Sequence, residues 1–147
     1  MSFGNFDLTF LWHWKQGGEN INLSSLLFDL NETTHDFDDF TLDPSGALSD
    51  GPYRLSVLGA DTEPYIEDAS YIRLREIGLY YKLPNKLIPG AENIRIGFSG
   101  NNLINIFDYN SYDPEVSNFG ANGLSTGVEV TPFPSSKRFD FHLTANF

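Results

Sequence analysis

The sequence predicts an all-β, antiparallel fold organised around about four long strands. Three observations carry that reading. Four separate stretches alternate apolar and polar residues with the period of two that a strand requires. Aromatic residues make up 15% of the chain, with 13 Phe, 7 Tyr and 2 Trp, and they suit a pleated surface. Thirteen Gly and 8 Pro supply turns, and Cys is absent, so neither disulfides nor thiol chemistry enters. At 147 residues the chain has the size of one ordinary domain.

The first strand places Phe6, Leu8, Phe10, Trp12 and Trp14 on one face and Asp7, Thr9, Leu11, His13 and Lys15 on the other. The second runs from about Ser70 to Leu83. It starts in phase with Ile72 and Leu74, then shifts to Ile77, Leu79, Tyr81 and Leu83, and a β-bulge around Arg75-Glu76 would produce that shift. The third, Asn93 to about Asn105, opposes Ile94, Ile96 and Phe98 to Arg95, Gly97 and Ser99. The last sets Phe139, Phe141, Leu143, Ala145 and Phe147 against Arg138, Asp140, His142, Thr144 and Asn146.

Alternation alone fits a soluble sandwich as well as a membrane barrel. The strands are long for a soluble sheet and match the roughly 9 to 11 residues that cross a bilayer at a tilt. The polar faces carry ionisable residues along their length, as a wet lumen allows. Aromatics gather near strand ends (Trp12 and Trp14, Tyr80 and Tyr81, Phe139 and Phe147), in the manner of interfacial girdles, and Phe6, Phe10, Trp12, Trp14 and Tyr81 form the membrane-facing set. The connections favour the barrel further: long from Gln16 to Ala69, short from Pro84 to Glu92, long again from Ile106 to Ser136. Long extracellular loops alternating with short periplasmic turns are the barrel rule, whereas such loops sit badly in a compact soluble domain. The strands then run outward, inward, outward and inward.

Charge is divided as sharply as the strands. The chain carries a net charge of −11, which excludes the basic footprint of nucleic-acid binding. All of it lies between Gln16 and Ala69, where 12 acidic residues meet one base, Arg54; the remainder is neutral. A solvated acidic loop is the simplest reading of such a run. Within it, Ile21 to Leu30 predicts a short helix with Leu23, Leu26, Leu27 and Leu30 on one stripe, and Asp43-Pro44-Ser45-Gly46 and Ser49-Asp50-Gly51-Pro52 read as turns.

No motif carries catalysis. His35-Asp36-Phe37-Asp38-Asp39 spaces carboxylates as a hard cation would want, but lacks the Gly and distal Glu of a calcium loop, so no metal or other cofactor is assigned. Tyr112-Asp113-Pro114-Glu115 is a loop motif, read as a turn that fixes its loop. His13 and His142 read as wall residues of the polar face. Arg73, Arg75 and Arg95 read as structural partners for carboxylates there. Asn22-Leu23-Ser24 and Asn31-Glu32-Thr33 match the glycosylation pattern only weakly.

Several stretches in collinear order resemble one family. Tyr65-Ile66-Glu67-Asp68-Ala69-Ser70-Tyr71-Ile72-Arg73-Leu74-Arg75, then Ile77, Leu79, Tyr81 and Leu83-Pro84, is similar to a strand of SusC/RagA-type TonB-dependent transporters. Ile94 to Leu103 (IRIGFSGNNL), Tyr112-Asp113-Pro114-Glu115, and Thr131 to Arg138 (TPFPSSKR) with the Phe-rich strand after it extend the likeness. It covers Tyr65 to Phe147. Asn101 stands where the family usually has Gln, Phe133 where it has Tyr, and Phe141-His142-Leu143 lacks a common Gly.

The resemblance implies that residues 1–147 are the C-terminal segment of a large plugged barrel in the outer membrane of a Gram-negative bacterium of the Bacteroidota. It implies import of nutrients, oligosaccharides or peptides, with a SusD-like lipoprotein and with energy from the TonB complex. Plug, TonB box and signal peptide are not seen in these residues. Phe139, Phe141, Leu143 and Phe147 look like the signal read by barrel-assembly machinery. Transport, not enzymatic activity, is the implied function. A soluble all-β carbohydrate-binding module, with Trp12 and Trp14 as sugar platforms, is the alternative. Exposed Phe10, Trp12, Phe141 and Leu143 would favour the barrel and buried ones the module.

Overall fold

A computed structural model describes residues 1–84, 90–115 and 127–146, and these form two compact units. One comprises Met1–Lys15, Tyr71–Ile106 and Ser135–Phe147; the other comprises Gln16–Ser70 and Phe107–Pro134.

In the strand unit, β1 (Ser2–Phe3) and β2 (Phe6–Lys15) are followed far along the chain by β5 (Tyr71–Lys82), β6 (Glu92–Ile106) and β8 (Arg138–Asn146). They form one sheet in the order β1-β2-β5-β6-β8, with antiparallel pairing throughout. The turn from β1 to β2 is carried by Gly4, whose φ of 59° costs a glycine little. The register lines residues of one kind into rows. Phe6, Tyr81, Ile96 and Leu143 are successive partners, as are Leu8, Leu79, Phe98 and Phe141. Trp12, Leu74 and Ile104 continue the same face.

That continuity depends on the bulge, which falls where the phase shift predicts it. Leu11 pairs with Glu76 but Trp12 pairs with Leu74, leaving Arg75 as the extra residue of β5. On the other side, Leu74 and Glu76 pair with Ile104 and Asn101, and Asn102 between them takes a left-handed φ of 53°. Without the bulge, Ile72 and Leu74 would point to the polar face.

The acidic unit is built differently. β3 (Glu19–Asn22) pairs antiparallel with β4 (Ile66–Asp68) and parallel with β7 (Val128–Glu129). Helix α1 (Leu23–Leu30) is the helix the leucine stripe predicts, and the Asn22 side chain caps it by accepting from the Ser25 N–H. Asp43 to Gly46 is a turn, as read, closed by Gly46 N–H to the Asp43 carbonyl at 3.0 Å. Ser49 to Pro52 is not a turn. It opens a second helix, α2 (Asp50–Val57), because Pro52 lies in the first turn, where its missing N–H costs nothing. A single 3-10 turn covers Glu63–Tyr65.

Candidate functional site

The residues that the sequence predicts to be membrane-facing share one face of the sheet. Phe10 and Trp12 are 52% and 47% exposed, Phe141 and Leu143 61% and 66%, and Phe6 and Trp14 are exposed beside them. The Tyr81 ring rests against Phe6 with centroids 4.6 Å apart, and Phe98 against Phe141 at 5.0 Å. Phe139 is exposed on the same face, while Phe147 lies outside the described residues. Tyr80 departs from the girdle reading. As the neighbour of Tyr81 it must point to the opposite face, and there it lies over two glycines. A Cβ on Gly97 would come within 2.2 Å of its ring, and one on Gly78 within 2.9 Å.

The polar face is knit together by charge and hydrogen bonds. Asp7 sits 3.3 Å from Lys82 and 3.5 Å from Arg95, whose guanidinium stacks 4.1 Å over the Tyr80 ring. His142 shares a hydrogen bond of 2.8 Å with Ser99. Arg75, pushed out by the bulge, lies with its guanidinium 2.9 Å from His13 Nδ1. Arg73 is buried beside the Tyr71 ring.

In the acidic unit the structure assembles a clasp around its one base. Arg54 is buried and grips Asp29 through Nε and NH2, both at 2.7 Å, and Asp36 through NH1 and NH2 at 2.9 and 3.0 Å. Tyr65 donates to Asp29 at 3.0 Å, and Thr34 donates to the same carboxylate. Burial works against ionising Asp29, yet the Arg54 and Thr34 hydrogen bonds hold its carboxyl below the usual range. Burial and the bond to Asp29 push the Tyr65 phenol up, and Asp29 pushes the Arg54 guanidinium up. Asp36, the first carboxylate of the HDFDD stretch, is therefore spent on Arg54. The lone base among 12 acids was the visible sign of this clasp; its partners were not.

The Tyr112-Asp113-Pro114-Glu115 stretch is folded back on itself. Asp113 is buried and accepts the Glu115 N–H at 3.0 Å, and the Pro114 carbonyl accepts from Asn20 at 2.8 Å. Nearby, Glu67 accepts from Asn22 Nδ2 and from the Asn110 N–H, both at 2.7 Å. Glu129 is buried and accepts from Ser24 at 2.9 Å and from Ser111. A cavity of about 570 Å³ opens within this unit, with Asn22, Phe28, His35, Glu63 and Glu67 in its wall. No sequence pattern marks it, since its residues come from separate segments.

No family model matches the chain. It is 31% identical over 160 residues to TonB-dependent receptor P26 of Formosa agariphila, covering all of this chain and 16% of that receptor. It is 25% identical over 154 residues to TonB-dependent receptor P3 of the same organism, again over the whole chain and 15% of the relative. The chain thus spans about a sixth of the length of the curated relatives it matches. The RagAB peptide importer in its open-open state superposes on 99% of the chain with a TM-score of 0.65 at 20% identity, covering 16% of that structure; the closed-closed state gives 0.61 at 23% identity, over 94% of the chain and 15% of that structure. Over its whole length the chain is thus similar to a stretch of TonB-dependent receptors, and its ladder of long antiparallel strands is the fold of the matching stretch of RagAB.

Proposed function

We propose that these residues are the C-terminal barrel section of an outer-membrane importer of nutrient oligomers, oligosaccharide or peptide, in a Gram-negative bacterium of the Bacteroidota. The importer works with a SusD-like lipoprotein and draws energy through TonB. One observation carries the reading: an apolar face with Phe10, Trp12, Phe141 and Leu143 about half or more exposed. In water such a face is an aggregation hazard; against lipid it is the required surface, and the strands cross there. The opposite face, with Asp7, His13, Arg95 and His142, lines the lumen. Gln16–Ser70 and Phe107–Pro134 lie outside the cell, and the connection after Lys82 lies in the periplasm.

Pairing of every backbone group in lipid needs a closed barrel, so the edges at β8 and at β1 with the uncovered part of β2 continue onto further strands of the whole receptor. Phe139, Phe141, Leu143 and Phe147 serve as the assembly signal. A soluble carbohydrate-binding module would bury the rows that here stand exposed, so nothing favours it. In the source bacterium the polypeptide should fractionate with the outer membrane, migrate on gels in a heat-modifiable form, and copurify with a surface lipoprotein. Residues 1–147 behaving as a monodisperse, detergent-free monomer with cooperative melting would overturn the proposal.

A further inference from the structure

We propose that a cavity at the end of the sheet where β5 leads to β6 binds an acidic peptide segment, with Lys82 and Arg95 taking its carboxylate. The inference goes beyond the importer reading and does not depend on it. The cavity measures about 500 Å³, within the range of small-ligand sites. Asn5, Lys82, Asn93, Arg95, Thr144 and Asn146 stand in its wall, from the turn before β2 and the ends of β5, β6 and β8. Backbone bonds fix this rim. The Lys82 N–H donates to the Asn5 carbonyl at 2.8 Å, and the Leu83 N–H to the Ile94 carbonyl at 2.9 Å. The pairing of β6 with β8 slips between Glu92 and Arg95, and Asn93 within the slip takes a left-handed φ of 56°. Bulges of this kind re-aim side chains beside functional sites.

Charge selects the ligand. Two cations stand in the wall, and among the described residues no acid does. Asp7 lies 3.3 Å from Lys82 and 3.5 Å from Arg95, so one carboxylate answers two positive charges. One positive charge is left over. The Lys82 ammonium is 60% exposed and carries three N–H donors, more than Asp7 alone can use. Stacking on the Tyr80 ring at 4.1 Å orders the Arg95 guanidinium before any ligand arrives. A single carboxylate balances this site, whereas a phosphate monoester, with about −1.5 to −2 charges at neutral pH, overshoots it. The exposed carboxamides of Asn5, Asn93 and Asn146 each combine donors with an acceptor, which suits peptide C=O and N–H groups. No aromatic ring among the described residues stands in the wall to take the C–H face of an acidic sugar. Lys82, Arg95 and Thr144 are successive cross-strand partners, next to the row of Tyr81, Ile96 and Leu143. They therefore face away from the apolar side, where a lipid headgroup would approach.

A carbodiimide joins an amine to a carboxylate held against it, and so tests the site on the whole receptor carrying these residues. The coupling is run once on the purified receptor and once in the envelope of the source bacterium, and the joined peptides are read by mass spectrometry. Lys82 should be joined to an aspartate or glutamate outside residues 1–147. The link forms in the purified receptor if the acidic segment belongs to the same polypeptide, and only in the envelope if it belongs to another. Exposed Lys137, outside the cavity wall, reports the coupling that exposure alone brings and should not join that segment. Arg95→Gln should cut the yield at Lys82 severalfold, and Asp7→Asn should raise it by removing the competing carboxylate. If Arg95→Gln fails to assemble, the coupling of the unaltered receptor decides alone. The site is overturned if Lys82 joins only Asp7 or Glu92, or couples no more than Lys137 does. A Lys82 joined to a uronate sugar, or left uncoupled as a phospholipid headgroup would leave it, overturns it equally. So does an assembled Arg95→Gln receptor with unchanged yield.

Discussion

The two units bury opposite things. The strand unit holds eight basic and four acidic residues and leaves Phe10, Trp14, Phe98, Phe139, Phe141 and Leu143 exposed along one face. The acidic unit holds sixteen acids and one base, and buries Asn22, Ser24, Asp29, Asp50, Arg54 and Glu129. The first gets its order from backbone ladders and from rows of matched side chains. The second gets it from a polar network, with Tyr65, Ala69 and Tyr109 buried among the described residues. A unit that exposes its apolar face is built for a solvent that rewards it, and a unit that buries charge depends on every charge keeping its partner.

The largest effect that separates them is expected at Arg54. Arg54→Met removes the cation but leaves Asp29 fully buried among Tyr65 and Thr34. An orphaned buried charge costs about 3–5 kcal/mol, which is enough to open the acidic unit. Hydrogen exchange on the assembled receptor should show lost protection in α1 and α2 while the amides of Tyr71–Lys82 stay slow. Adding Asp29→Leu should recover part of the loss, because the stranded carboxylate goes too. Equal exchange in both units after Arg54→Met would break the division drawn here.

Next in size is a charge on the apolar face. Phe141→Arg should cost the receptor about 2–4 kcal/mol in a bilayer, because the position lies near the middle of β8. Thr144→Arg puts the same residue on the opposite face and should be tolerated. Denaturant unfolding in lipid vesicles reads both, and equal costs would mean that the Phe141 face does not meet lipid.

How far the sequence reached follows the same division. In the strand unit the period of two was enough, and even the Arg75 bulge showed as a slip in phase between Leu74 and Ile77. Tyr80 is the exception that the rule itself explains. Grouping it with Tyr81 by adjacency ignores that neighbours in a strand face opposite ways. In the acidic unit no period exists to read. Arg54 stands 25 residues from Asp29 and 18 from Asp36, so its solitude was visible but its partners were not. The Asp50-Gly51-Pro52 run has turn composition and opens α2 nonetheless. Gly51 is needed there because the Phe37 ring lies where its Cβ would be, 2.1 Å away, a contact between distant segments that composition does not encode.

Gly97→Ala sharpens the strand side of the comparison. The new methyl would collide with the Tyr80 ring and displace it from beneath Arg95. Overpacking of this kind costs about 1–3 kcal/mol. The heat-modifiable form should therefore unfold at a lower temperature, and Tyr80→Ala in the same receptor should remove the collision and restore part of the loss. Unchanged unfolding of Gly97→Ala would mean that Tyr80 is free to leave the glycine slot.

The smallest effect lies at the surface of the acidic unit and tests whether its carboxylates act as hydrogen-bond hubs. Asp43 accepts from the Ser45 hydroxyl at 2.7 Å and from the N–H groups of Ser45, Ala47 and Leu48, each at 2.9 Å. Those bonds favour the carboxylate and bring its pKa from 3.8 to about 2. A lowered folded-state pKa contributes stability that is fully present above 3.8 and is lost as pH falls from there through about 2. The amides of Ala47 and Leu48 should accordingly exchange faster, relative to the intrinsic chemical rate, as pH drops through that window. Asp43→Asn keeps an oxygen acceptor but cannot titrate, so its profile should be flat there and its protection at neutral pH somewhat lower. A flat profile in the unaltered protein would show that the Asp43 turn holds without its charge, and would leave the Arg54 clasp as the acidic unit's chief electrostatic element.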